Sequence, residues 1–256
     1  MGPQSSPVIV ITGAAGGLGA AFCRVAAAHG ASLVLCGRRE APLQALAAEL
    51  NTASLAVAAD VTRRPDVERL CAEAIARFGH IDVWINNAGQ GITKMPSELT
   101  DEDIDTMMSV NVKSVLYGMQ AVLPHFKGRG TGQIVNISSM LGRMPMATFR
   151  SAYCGAKHFV NALTATMRAE VQTTHPGIQV TLVSPGGVKT DFGVNARHGG
   201  VDSKTFAHFE EPEGVAAAMW EAVETRVPDL YTRPGAKDSV LGYLASLTAD
   251  PTARTS

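Results

Sequence analysis

Tyr153 and Lys157 stand four positions apart in AYCGAKHF, and Ser139 lies upstream in IVNISSMLG. On a helix, residues at i and i+4 share one face. A lysine ammonium placed there favours the ionised form of the phenol beside it. A phenol of pKa about 10 is a poor acid–base catalyst near neutrality, and a nearby cation brings it towards the working range. Tyr-x-x-x-Lys is common on helices, so the pair draws its weight from its company. Cys154, next to Tyr153, reads as packing, because nothing nearby is built to activate a thiol.

The company begins with VIVITGAAGGLG at residues 8–19. Its spacing, Gly13-x-x-x-Gly17-x-Gly19, departs from the common G-x-G-x-x-G, but the physics is shared. Glycines let the backbone turn tightly after a strand and approach a pyrophosphate. The helix that follows offers free N–H groups and its positive dipole end. Gly13, Ala15, Gly17, Leu18 and Gly19 are the candidate cofactor contacts there. No Gly-Lys-Ser/Thr follows, which argues against an ATP loop. The next strand ends in CGRRE. An acidic residue at this place suits the ribose of NAD, and a basic one suits a 2′-phosphate. Arg38 and Arg39 therefore favour NADP(H), with Arg38 the main contact, and leave NAD(H) open.

The elements that must position these residues alternate. Apolar runs at 7–13, 31–37, 54–60, 81–89, 132–139 and 178–186 read as strands. Helical patterns fall at 17–29, 40–50, 64–79, 101–127, 152–174 and 212–225, and a short strand lies around DLYTRPG. That order predicts one α/β domain over 1–256: a doubly wound parallel sheet, a Rossmann fold, of about seven strands with helices on both faces. Ligands then bind at the carboxyl ends of the strands. Residues 1–6 and 248–256 are expected to be flexible, and the irregular 191–211 to be a substrate lid.

The chain has 256 residues, a net charge of −1 and 18% charged residues, enough for one large core. Near-neutral charge disfavours nucleic acid or an anionic membrane as partner. No apolar run reaches membrane-span length, and the start shows no secretion signal. The four cysteines, Cys23, Cys36, Cys71 and Cys154, have neither paired nor metal-ligand spacing. A cytoplasmic protein without a metal is expected.

In order along residues 8–191, TGAAGGLG, DV at 60–61, NNAG at 86–89, Asn111 in SVNVKSV, ISS at 137–139, YCGAK at 153–157 and SPGGVKT at 184–190 resemble the short-chain dehydrogenase/reductase family. The resemblance implies that Asp60 and Val61 hold the adenine and that Asn87, Ala88 and Gly89 line the cofactor channel. It implies that Pro185, Gly186, Val188 and Thr190 pack on the nicotinamide. Asn111, Ser139, Tyr153 and Lys157 are similar to the family's catalytic tetrad. Ser139 would orient a carbonyl oxygen and Tyr153 would exchange the proton. Lys157 would depress the tyrosine pKa and hold the nicotinamide ribose, and Asn111 would hold a water leading to solvent. Ser139 precedes Tyr153 by fourteen positions, one more than in many members, and Ser138 is the alternative if the strand register slips.

Gln90, Gly91, Met140, Met144, Met146, Phe149, Gly187 and the 191–211 loop are expected to border the substrate pocket, with ordinary core as the competing reading. Arg143 and Arg150 read as surface arginines, with an acidic substrate group as the alternative. His198 and His208 are expected to face solvent. The functional expectation is an oxidoreductase acting on a small ketone or secondary alcohol. The alternatives are an NAD-dependent alcohol dehydrogenase of the same family and a non-catalytic dinucleotide sensor. A homotetramer or homodimer is expected through the two long helical stretches, which carry apolar residues on more than one face.

Overall fold

The computed structural model describes residues 6–247. Apart from Ser6, the segments expected to be flexible lie outside the described residues. Seven strands form one parallel sheet in the order β3-β2-β1-β4-β5-β6-β7. They are β1 (Val8–Thr12), β2 (Ser32–Gly37), β3 (Ser54–Ala58), β4 (Val83–Asn86), β5 (Gly132–Ile137), β6 (Ile178–Ser184) and β7 (Asp229–Tyr231). Every residue of β1, β4 and β5 is buried. A sheet covered on both faces needs apolar side chains on both, which is why VIVIT is a continuous apolar run and not an alternating one.

Helices α1 (Gly17–Ala28), α2 (Glu40–Glu49) and α7 (Pro212–Thr225) supply one core, built around Phe22, Leu43, Met219 and Trp220. The other face is covered by α3 (Arg64–Phe78), α5 (Ser114–Arg129) and α6 (Ser151–Thr174), through Leu70, Met119, Phe126 and Val160. The chain leaves β1 for β2 on one side and reaches β4 on the other. Loops that diverge at such a switch point leave a crevice at the strands' carboxyl ends.

Two features depart from the expected elements. The helical stretch at 101–127 is α4 (Asp101–Met108), a π-helical turn at Ser109–Lys113, and then α5. No glycine or proline marks the turn. A further helix, α8 (Ala236–Leu247), follows β7, where only a closing strand was expected. It buries Ala236 and Val240 but leaves Leu241, Leu244 and Leu247 exposed, so its apolar pattern does not mark a core-facing stripe.

Candidate active site

The turn after β1 is shaped by backbone. Gly13 has φ +69°, and a Cβ on Gly19 would overlap the Gly13 carbonyl oxygen. The first turn of α1 carries no acidic side chain, and no side chain caps its N–H groups. Asn87 Nδ2 donates to Thr12 O at 2.9 Å and Gly13 O at 3.2 Å, locking the β4 end against this turn. Thr12 Oγ1 accepts from the backbone N–H of Asn87 and Ala88. Thr190, from the loop after β6, lies against Gly17. Thr12 was not among the expected site residues, because a threonine ending a strand carries no local signal.

A cleft of about 540 Å³ opens there, lined among others by Gly13, Arg38, Arg39, Asp60, Val61, Ala88, Gly89, Gln90, Gly91 and Phe192. Neither Arg38 nor Arg39 makes an ion pair among the described residues. Asp60 Oδ1 is committed locally, accepting from Thr62 N at 2.9 Å and Thr62 Oγ1 at 2.7 Å. The turn without Cβ atoms, the uncapped helix end and the two free guanidinium groups fit an anionic dinucleotide.

At the other end of the cleft, a buried polar ladder sets α6 against the strands. Trp84 Nε1 donates to Asn86 Oδ1, Asn86 Nδ2 to Asn136 Oδ1, and Asn136 Nδ2 to Thr164 Oγ1 on α6, at 2.8, 2.8 and 2.9 Å. Tyr153 and Lys157 lie on that helix, both buried, with Lys157 Nζ 5.7 Å from the tyrosine ring centroid. Lys157 Nζ donates to Ile137 O at 2.7 Å. Asn111, on the π-helical turn, donates Nδ2 to Gln90 O and Met107 O, and its Oδ1 accepts from Gln90 N. Asn111 Oδ1 and Lys157 Nζ both face Gly89. The extra residue of a π-turn re-aims a side chain, a common device at functional sites.

Of the two serines, Ser139 faces Tyr153. Ser138 instead donates to Asn161 Oδ1 on α6, so no register slip occurs. Burial pushes the Tyr153 phenol up to about 12, opposed by the Ser139 hydroxyl and then by the Arg150 cation. Burial also pulls Lys157 down to about 8. The lysine beside the tyrosine is thus itself penalised for its charge. All four cysteines are buried free thiols whose pKa burial raises.

On the substrate side, Phe149 is 40% exposed and Met146 66%. Met144 is buried, and Met140 belongs to a short 3-10 turn over Met140–Gly142. Gly187 packs on the Phe209 ring. Arg143 is an ion-pair partner of Asp229 on β7. Arg150, read from sequence as a surface residue, is only 9% exposed. The 191–211 segment is pinned. Arg197 N donates to Gly91 O, and Thr93 N donates to Arg197 O. Fully buried Asp103 of α4 accepts from Arg197 Nε, His198 Nε2 and Lys94 Nζ at 2.6, 2.7 and 3.0 Å. His208 is exposed as expected, and His198 is exposed but engaged. Asp103 was legible only as the capping-box partner of Thr100.

The family model described as short chain dehydrogenase matches residues 7–199. The chain belongs to the short-chain dehydrogenase family. It is an oxidoreductase of that family, 37% identical over 240 residues to an uncharacterized oxidoreductase of Staphylococcus epidermidis, covering 91% of this chain and all of that one. A family member from Burkholderia phymatum, solved in complex with NAD, superposes with a TM-score of 0.86 at 25% identity over the whole of both chains. One from Sphingobium yanoikuyae, in complex with NADPH, gives 0.81 at 31% identity over 98% of each chain. Among the described residues no helix is long and apolar enough to cross a membrane.

Proposed function

We propose that this protein binds a nicotinamide dinucleotide in the cleft and interconverts a ketone and a secondary alcohol, with Tyr153 as the acid–base group. The observation that carries the reading is the convergence of Ser139, Tyr153, Lys157 and Asn111 at the inner end of a cleft whose outer end suits an anionic dinucleotide. The bound nicotinamide supplies or accepts the hydride. The chain's own residues do the rest. Ser139 orients the carbonyl oxygen beside Tyr153. The Tyr153 hydroxyl delivers its proton to that oxygen in reduction and recovers it in oxidation. Lys157, with a pKa near 8, holds a proton close to neutrality and hands it on. Asn111 fixes the Gln90 backbone beside them and keeps one Oδ1 lone pair for a water. Position and preorganised polar groups account for the rate.

The cofactor reading is NADP(H). Arg38 and Arg39 are unpaired on the cleft wall, and guanidinium binds phosphate bidentately. The segment 191–211 acts as the lid of the substrate side. A homodimer or homotetramer through α4, α5 and α6 is supported by the exposed Ile104 and Phe159 and by an apolar groove lined by Leu99, Ile104, Met107 and Met108.

Tyr153→Phe tests the assignment. Turnover should fall by about two to four orders of magnitude, the contribution of a positioned acid–base group, with NADPH affinity unchanged in calorimetric titration. A variant keeping wild-type turnover would sink the assignment.

A further inference from the structure

Arg150 is the buried charge that the proton pathway leaves unexplained. It is the residue before α6, and its guanidinium lies between the rings of Phe149 and Phe192, at 5.8 and 6.0 Å from their centroids. Its Nη1 is fully buried with no hydrogen-bond partner, and its side chain donates no hydrogen bond among the described residues. Arg197, Arg143 and Arg129 each meet a carboxylate. Among the described residues no carboxylate pairs with Arg150, and burial lowers its pKa. A guanidinium has five donors in a rigid fork, and burying one of its nitrogens without an acceptor is costly.

Its surroundings point to where the acceptor belongs. Gly91 and Phe192 line the cleft, and both touch Arg150. A Cβ on Gly91 would overlap Arg150 Nη1, with Phe192 and Ala196 crowding the same point, so the guanidinium packs directly on the backbone of a cleft-lining glycine. The Tyr153 ring packs on the same Phe192, at 5.6 Å between centroids. Arg150 immediately precedes α6, and Tyr153 lies three positions on, in the first turn of that helix.

We infer that Arg150 anchors a carboxylate of the substrate, which makes the substrate an oxo acid or the matching hydroxy acid. A carboxylate held at Arg150 with its carbonyl at Tyr153 suits a short chain, a 2-oxo or 3-oxo acid. The inference rests on the carbonyl-reducing role of Tyr153 proposed above. Closure of Phe192 over the pair removes water and strengthens the contact.

The test measures NADPH oxidation with matched pairs: benzoylformate against its methyl ester, and acetoacetate against methyl acetoacetate. The acid should be preferred in kcat/KM by about tenfold to a hundredfold, as a hydrogen bond to a charged group contributes. Arg150→Gln should erase that preference, mainly through KM for the acid, and Arg150→Lys should restore part of it. A wild-type ratio near one overturns the inference whatever the variants do. So does a ratio that Arg150→Gln leaves intact, the result expected if Arg150 only shapes the loop. Ester turnover without acid preference sinks this inference alone. Absence of turnover for all four compounds sinks the carbonyl-reducing reading and this inference with it.

Discussion

Between β1 and β4 the cleft is held by main chain: Asn87 ties Thr12 O to Gly13 O, and Gly19 packs on the Gly13 carbonyl. Around the 191–211 loop it is held by side-chain charge. Asp103 reaches Arg197 and His198, which lie 94 and 95 positions further along, and Arg150 Nη1 has no hydrogen-bond partner among the described residues. A wall made of backbone demands particular residue types at fixed spacing. A wall made of long side chains can be rebuilt for another substrate without disturbing the sheet. The difference explains how one sheet can keep its dinucleotide site and change its substrate.

The sharpest way to break this contrast is Gly19→Val. Any Cβ there overlaps a backbone oxygen that cannot move without unmaking the turn. Neither NADPH nor NADH should give a measurable calorimetric signal, and normal NADPH binding would mean the turn does not hold the phosphates. Arg38→Glu should have a smaller effect, because it changes a side chain on the same wall. The preference for NADPH over NADH should fall by about tenfold to a hundredfold. An unchanged ratio would move the 2′-phosphate contact away from Arg38.

The same contrast decides what could be read from sequence. The sheet was legible because buried parallel strands are continuous apolar runs, and the turn because glycine spacing is local. Tyr153 and Lys157 were legible because one helix sets their geometry. The π-turn under Asn111 was not, since no breaker residue marks it. Helix α8 was missed because its leucines stay exposed. Arg150 was taken for a surface residue because its burial depends on Gly91 and Phe192, both distant in sequence. Spacing showed a cation beside Tyr153, but not that both groups are buried and each resists ionisation.

That burial has a thermodynamic consequence. Lys157 falls from 10.5 to about 8, a cost on the order of 3 kcal/mol at roughly 1.4 kcal/mol per unit. The sign follows from proton counting. Between about pH 8 and 10 the unfolded chain holds the lysine proton and the folded chain has released it, so stability rises with pH. Below about 8 the full cost is present. Tyr153, raised from 10 to about 12, reverses the trend only above pH 10. Melting temperatures of the cofactor-free protein should therefore climb from pH 8 to 10 relative to Lys157→Met, which should melt higher than wild type at pH 7. A pH-independent difference between the two would show that Lys157 is not buried as a charge.

On the charged wall, Asp103→Asn should give the smallest effect and test the lid directly. An amide cannot accept at Nδ2, so one oxygen must serve where Arg197, His198 and Lys94 now share two. The loop should lose its anchor, protease should cut within 191–211 sooner, and KM for the carbonyl should rise by about the few-fold that a weakened single contact costs. NADPH affinity should stay put, because no part of the Gly13–Gly19 turn touches Asp103. The Arg197 guanidinium, and then His198, hold the Asp103 carboxyl well below the usual carboxylate range. A depressed acid contributes stability above its unfolded value near 4 and loses it only as pH falls through the lower folded one. Wild-type protein should thus keep its loop protected at pH 5, while Asp103→Asn is cut at pH 5 and pH 7 alike. Equal cutting of wild type and variant at pH 7 would detach Asp103 from the lid and leave the backbone bridge between Gly91, Thr93 and Arg197 as its sole restraint.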